Sequence, residues 1–301
     1  MRWLILASAL AIAGCAPTPP RPTAQPRYVV GEPYQMGGVW SYPREDFALV
    51  QTGLAAVIAD QRAGRRTANG EIHDPTAMVA AHRTLQMPAV VTVTNLENGL
   101  QTQVRVNDRG PANPSRVIDL SRRAAELLGI RHGGTAQVRV EVVAEQSRGL
   151  SAALPNTEAP ALQIAAAPVA SVGREDLAPP PGATQAARVR EARRLPGDGR
   201  AGVAEQAVVS TAPDRLPERV ARVAAMPGRL YVEGATFSRR DMADRQAARL
   251  AGLRPVVEAQ GPRGRQTFRV RLGPFNSVPE ADRALEGSLR AGVSEARILV
   301  D

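Results

Sequence analysis

Asn98-Gly99 sits between two runs that alternate with a period of two, and this most restricts how the chain can fold. Ala89 to Asn95 is rich in β-branched residues, and Gln101 to Val106 sets Thr102, Val104 and Val106 against Gln101, Gln103 and Arg105. Such runs joined by Asn-Gly form an antiparallel hairpin, with one face of the second strand buried and the other polar. A short strand is expected at Val117 to Leu120. Ser121 then caps a helix over Arg122 to Leu128, which Gly129 ends, and a further alternating strand runs from Ala136 to Val143. Short strands, many turns and one short helix within residues 52–143 predict a small, mostly β barrel.

The flanking composition divides the rest. Residues 28–51 hold five of the ten aromatic side chains, and none follows between Ala48 and Leu230. That cluster either packs onto the barrel or offers stacking faces for sugar rings. Residues 144–226 are dominated by Ala, Pro, Arg, Glu and Gly without an apolar period, and they predict a disordered linker. Residues 227–301 contain a repeat. Leu230 to Phe237 and Phe268 to Phe275 are strands ending in Gly-x-Phe-like turns, followed by helices from about Asp241 and Val278. With strands at Arg254 to Ala259 and Ala296 to Val300, they predict a small α+β domain, a four-stranded sheet with helices on one face.

At the other end, Met1-Arg2 precedes an apolar run from Trp3 to Ile12, too short to span a bilayer. Ile12-Ala13-Gly14-Cys15 looks like a bacterial lipobox, which implies a signal peptide over 1–14, lipidation of Cys15 and, with Ala16 following, outer-membrane sorting. The alternative is an ordinary signal peptide with a cysteine nearby. Cys15 is the only cysteine, so neither an internal disulfide nor thiol catalysis is available. Residues 15–27, punctuated by proline, read as an extended tether.

Net charge is +9, which draws the protein to polyanions, but no basic stripe interleaves with aromatics and no nucleic-acid motif occurs. No cofactor fingerprint is present, and His73 and His82 lack the spacing of a metal site, so neither cofactor nor metal is expected. The chemistry-bearing residues are Glu71, Asp74, His82, Asp108 and Asp119, within about fifty positions and beside turns. A protonated carboxyl can deliver a proton to a glycosidic oxygen while an ionised one stabilises an oxocarbenium-like centre, and His82 can orient or relay. Each also has a plain structural reading: Asp108 pairing with Arg109, Asp119 closing a turn, His82 half-buried.

Five blocks carry a resemblance: Arg66-Thr67-Ala68-Asn69-Gly70-Glu71, Ala80-Ala81-His82-Arg83-Thr84-Leu85, Val93 to Gly99, Val106-Asn107-Asp108-Arg109-Gly110-Pro111, and Ile118-Asp119-Leu120-Ser121 to Ala125. Residues 52–143 resemble the rare lipoprotein A family of septal lytic transglycosylases, and 227–301 resembles a SPOR domain. The resemblance implies a double-psi β-barrel that cleaves the β-1,4 bond between N-acetylmuramic acid and N-acetylglucosamine in peptide-free peptidoglycan and leaves a 1,6-anhydro end. It implies catalytic carboxylates at Glu71 and Asp108, a histidine at His82 and further site positions at Asp74 and Asp119, with the choice of acid between Glu71 and Asp108 open. It places glycan contacts of the SPOR-like half near Val232, Phe237, Phe268, Arg271 and Phe275; Phe237 and Phe275 serve equally well as core anchors. Implied partners are denuded glycan strands, a membrane through the lipid anchor, and septal division proteins. Where the family usually carries a Ser-Trp-Tyr-Gly block after its first strand, this region reads Gly53-Leu54-Ala55-Ala56-Val57-Ile58-Ala59-Asp60. That departure keeps a second expectation open, a glycan-binding adaptor without turnover.

Overall fold

A computed structural model describes residues 22–156, 215–262 and 265–301. Cys15, the signal peptide and the middle of the expected linker lie outside the described residues. Among the described residues no helix is long and apolar enough to cross a membrane.

The aromatic-rich segment forms a hairpin, β1 (Tyr34–Met36) and β2 (Val39–Ser41). Six strands then close a barrel: β3 (Val50–Val57), β4 (Val79–His82), β5 (Ala89–Asn95), β6 (Leu100–Asp108), β7 (Ile118–Leu120) and β8 (Ala136–Val142). Their order is β4-β7-β3-β8-β5-β6, and β6 returns to pair parallel with β4. β3 and β7 form the other parallel pair, and the remaining pairs are antiparallel. Alternate residues of each strand fill the interior, among them Val91, Val93, Val104, Val106, Ile118, Leu120, Val138 and Val140. Each such side chain contributes roughly 1.5–3 kcal/mol of burial. Between β7 and β8, Ser121 caps α1 (Arg122–Leu127), its Oγ accepting from the Ala124 N–H at 3.2 Å.

Two ends of the segment expected as linker are ordered. α2 (Ala144–Ala153) packs on β5 through Ser147, whose Oγ accepts from the Val90 N–H at 3.0 Å. β9 (Val220–Arg222) adds to the outer edge of β6. An apolar period was not needed in either place: one buried serine and one open strand edge supply the partners. The tether's last residues also dock. Gln25 N–H donates to Gly70 O at 2.8 Å and Arg27 N–H to Asn69 O at 2.9 Å.

The C-terminal module comprises β10 (Leu230–Phe237), α3 (Arg240–Arg249), β11 (Val256–Gln260), β12 (Thr267–Phe275), α4 (Val278–Arg290) and β13 (Arg297–Val300). Its sheet is antiparallel, in the order β11-β12-β10-β13. Leu230, Val232, Val270, Leu272, Ile298 and Val300 meet Ala243, Leu250, Ala281 and Leu285 of the helices. The barrel touches this module at named points. Thr52 Oγ1 donates to Val300 O at 2.6 Å, and Arg116 grips Asp282 with contacts of 3.0 and 3.3 Å.

Candidate active site

The residues around Asn69-Gly70 form a tight loop. Thr67 N–H donates to Glu71 O at 2.8 Å, and His73 N–H to Arg65 O at 2.8 Å. Gly70 has φ +87°, and a Cβ there would stand 2.1 Å from Gln25 O, so both the turn and the docked tether require glycine. The loop sets Glu71 under the barrel rim, 3% exposed. Its carboxylate accepts from Asn69 Nδ2 at 3.0 Å, Arg105 Nη2 at 2.9 Å and Asn107 Nδ2 at 2.8 Å. All three partners are donors.

Asp108, at the end of β6, is held similarly. Its Oδ1 accepts from the N–H of Ala68 at 3.0 Å and of Arg109 at 2.9 Å, and Arg62 pairs with Oδ2. Its side chain retains 11% exposure, more than that of Glu71 at 3%. Burial lowers the His73 ring below the usual histidine range against the field of Asp108, which places His73 in the neighbourhood of that carboxylate. The sequence had suggested His73 only as a poor metal ligand.

Asp119 occupies the middle of β7. Ala81 of β4 pairs with Asp108 on one side and Asp119 on the other. The two aspartates therefore flank Ala81 about 10 Å apart, two strand spacings, with the β4–β6 ladder shifting register between Ala80 and Ala81 so that Asp108 comes opposite Ala81. Gly110 packs beside both Ala81 and Asp119. Among the described residues no hydrogen bond is made to the Asp119 carboxyl, and burial, opposed by Arg116 and Arg83, pushes it up to about 6.

His82 is not brought to this face. As the next residue on β4 it leaves the opposite side from Ala81. Its Nδ1 accepts from the N–H of Thr84 at 3.3 Å and of Leu85 at 3.2 Å, while Nε2 lies 3.3 Å from Gln51 Oε1. Burial, with Arg109 and Arg83 nearby, pulls its ring down to about 3. A ring so committed positions the turn at Thr84 and Leu85. Asp74 is likewise a turn residue: Oδ1 accepts from Thr76 N–H at 2.8 Å and from its Oγ1 at 2.7 Å, and Arg215 pairs with Oδ2. Burial alone would raise Asp74, but the Thr76 hydrogen bonds and Arg215 outweigh it and its pKa is lowered.

Arg105 is the residue that the sequence pattern misplaced. The alternation set it on the polar face with Gln101 and Gln103, yet it is 6% exposed and paired with Glu71. The signal that identifies it is its proximity in sequence to Asn107 and Asp108 at a strand end. In the C-terminal module Val232 is 1% exposed and packs against the helices, so it offers no surface to a glycan. Arg271 is buried over the Tyr231 ring and paired with Asp301 at 2.6 Å. Phe237 and Phe268 face each other across β10 and β12, and with Phe275 they pack against the core while remaining partly exposed.

A closed six-stranded barrel with carboxylates gathered at its strand ends, followed by a four-stranded sheet backed by helices, defines a double-psi barrel protein with a SPOR module. Comparison with known proteins agrees. Residues 51–140 match the lytic transglycolase family model, and 227–298 match the SPOR domain model. Endolytic peptidoglycan transglycosylase RlpA of Pseudomonas aeruginosa strain UCBPP-PA14 is 34% identical over 282 residues, covering 90% of this chain and 77% of that protein. RlpA of Vibrio cholerae is 43% identical over 129 residues, 40% of this chain and 48% of its own length. A solved RlpA SPOR domain from P. aeruginosa aligns at 24% identity with a TM-score of 0.22, covering 24% of this chain and 99% of that domain. The chain belongs to the RlpA family.

Proposed function

We propose that this protein is a peptidoglycan lytic transglycosylase in which Asp119 is the proton donor and Asp108 the ionised partner. The placement of these two aspartates on either side of Ala81, from the strands that flank β4, carries this reading. Their surroundings divide the roles. Asp119 is desolvated without a donor, whereas Asp108 has only donors around it. Glu71 is less exposed than Asp108 and holds Asn69 and Asn107 in place, a positioning role.

In the reaction, Asp119 gives its proton to the glycosidic oxygen as the bond from the muramic C1 to that oxygen breaks. The same sugar's 6-hydroxyl attacks C1, and its proton passes to Asp108. The product is a 1,6-anhydro sugar, and no water is consumed. His82 fixes the turn that carries Arg83.

The lipobox-like Cys15 supports a lipoprotein of the outer membrane, and the SPOR match supports recruitment to denuded glycan at the division septum, alongside septal proteins. Burial of Leu54 and Ala55 leaves the first barrel strand without an exposed aromatic, which is the observation favouring the adaptor reading.

Digestion of amidase-treated, peptide-free sacculi with the full chain, read by mass spectrometry, separates the two. Products ending in 1,6-anhydro-muramic acid, lost in Asp119→Asn, are expected. Reducing ends would indicate a hydrolase, and sedimentation with sacculi without products an adaptor. A Cys15→Ser variant is expected to leave the membrane fraction.

A further inference from the structure

Trp40 and Tyr42 are 52% and 60% exposed, while Ser41 between them is 4% exposed. Large aromatic side chains left in water on one side of a hairpin need a reason. The hairpin itself is not loose. Arg83 Nη1 donates to Met36 O and to Ser41 Oγ, both at 3.3 Å, its Nη2 reaches Ala112 O at 3.3 Å, and Tyr34 O–H donates to Arg83 O at 2.9 Å. Gly37 lies so close to the barrel that a Cβ would come within 2.0 Å of Ala112 O. Both aromatics border a cleft of about 1180 Å³, whose other walls include Gln51, Thr84, Thr236 and Arg269.

That volume exceeds the roughly 300–1,000 Å³ of a small-molecule pocket and suits a chain-like ligand. Its aromatic faces beside amide, hydroxyl and guanidinium groups suit a polymer with apolar ring faces and a hydroxylated rim, which is a pyranose strand. Arg83 links this surface to the chemistry, because the guanidinium that braces the hairpin also acts on Asp119.

We propose that Trp40 and Tyr42 form a stacking platform that holds the glycan strand in this cleft. This inference rests on the reading of the substrate as glycan. It is tested with the full chain and soluble peptide-free peptidoglycan oligosaccharides, by calorimetry and by tryptophan fluorescence, Trp3 being the one other tryptophan. The double variant Trp40→Ala/Tyr42→Ala is expected to lose about tenfold or more in affinity, the equivalent of one or two stacked rings. Trp40→Phe should keep affinity within about threefold, and melting should not move in either, because the side chains stand in solvent.

Unchanged affinity in the double variant overturns the platform, as does a melting loss shared by Trp40→Phe or a change only in self-association. The lyase reading fails separately. Wild type that binds through Trp40 without releasing anhydro products keeps the platform and removes the enzyme; cleavage that ignores both substitutions does the reverse.

Discussion

The barrel and the C-terminal module each bury a carboxylate among arginines, and they do it to different ends. In the module, Glu233 is contacted by Arg269 at 3.2 Å and Arg297 at 2.9 Å, with Arg271 at 3.9 Å, and Glu258 and Asp301 complete the cluster. Every acid there is matched by guanidinium, and the cluster ties β10, β11, β12 and β13 together. In the barrel, Glu71 and Asp108 are equally well supplied, but among the described residues no hydrogen bond reaches Asp119, which lies across β4 from Asp108. In the proposed reaction the unmatched acid gives its proton and the matched Asp108 receives one.

Replacing Asp119 breaks this contrast with the largest effect. Asp119→Asn should lower kcat by about 10²–10⁴, the usual share of general acid catalysis, while melting near neutral pH holds or rises. The sign follows from linkage. The folded protein keeps a proton to about 6 that the unfolded chain releases near 3.8, so this group costs stability as pH rises between those values. Denaturation and turnover on one preparation check both halves.

Next come the matched acids. Glu71→Ala strands Arg105, and Glu233→Ala strands the guanidiniums around it; each should destabilise by about 3–5 kcal/mol in urea titrations. Of this pair, only the Glu71 change should also reduce turnover in protein that remains folded.

The pH profile sharpens the comparison. Turnover should fall about tenfold per pH unit above about 6, as Asp119 loses its proton. His82 works in the opposite direction on stability. Its folded value of about 3 lies below the ordinary 6.5, so its contribution is present above 6.5 and is lost as pH falls toward 3. His82→Gln should flatten that acid limb in thermal melts. The smallest effect belongs to an exposed pair: Arg239→Ala, which removes the contact to Asp241, should leave the thermal melting midpoint unchanged.

Much of this was legible in the residues. β5, β6 and their Asn-Gly turn, the Ser121 cap and both βα repeats follow from period and turn chemistry, and the five motif blocks all lie on the barrel. β4 was not legible, because Val79-Ala80-Ala81-His82 has the small side chains of a helix and becomes a strand only by pairing with β6 and β7. β9 is invisible for a related reason: Val220–Arg222 is fully exposed, and its partner is an edge more than a hundred residues earlier. Within the site, the motif put the catalytic carboxylates on Glu71 and Asp108 and gave Asp119 only as a further site position. What separates them is which donors surround each one, a property of neighbours on other strands that no linear spacing carries.

The docked end of the N-terminal tether has a mechanical meaning. Gln25 and Arg27 are stitched by backbone hydrogen bonds to Gly70 and Asn69, and Arg66 Nη2 donates to Thr23 O at 2.8 Å. A pull arriving along the chain from upstream of these residues reaches the Asn69-Gly70 loop early, with few other attachments to share it. That loop also holds Glu71 and, through the Ala68 N–H, Asp108. Tension on the tether is therefore delivered first to the loop that holds Glu71 and Asp108.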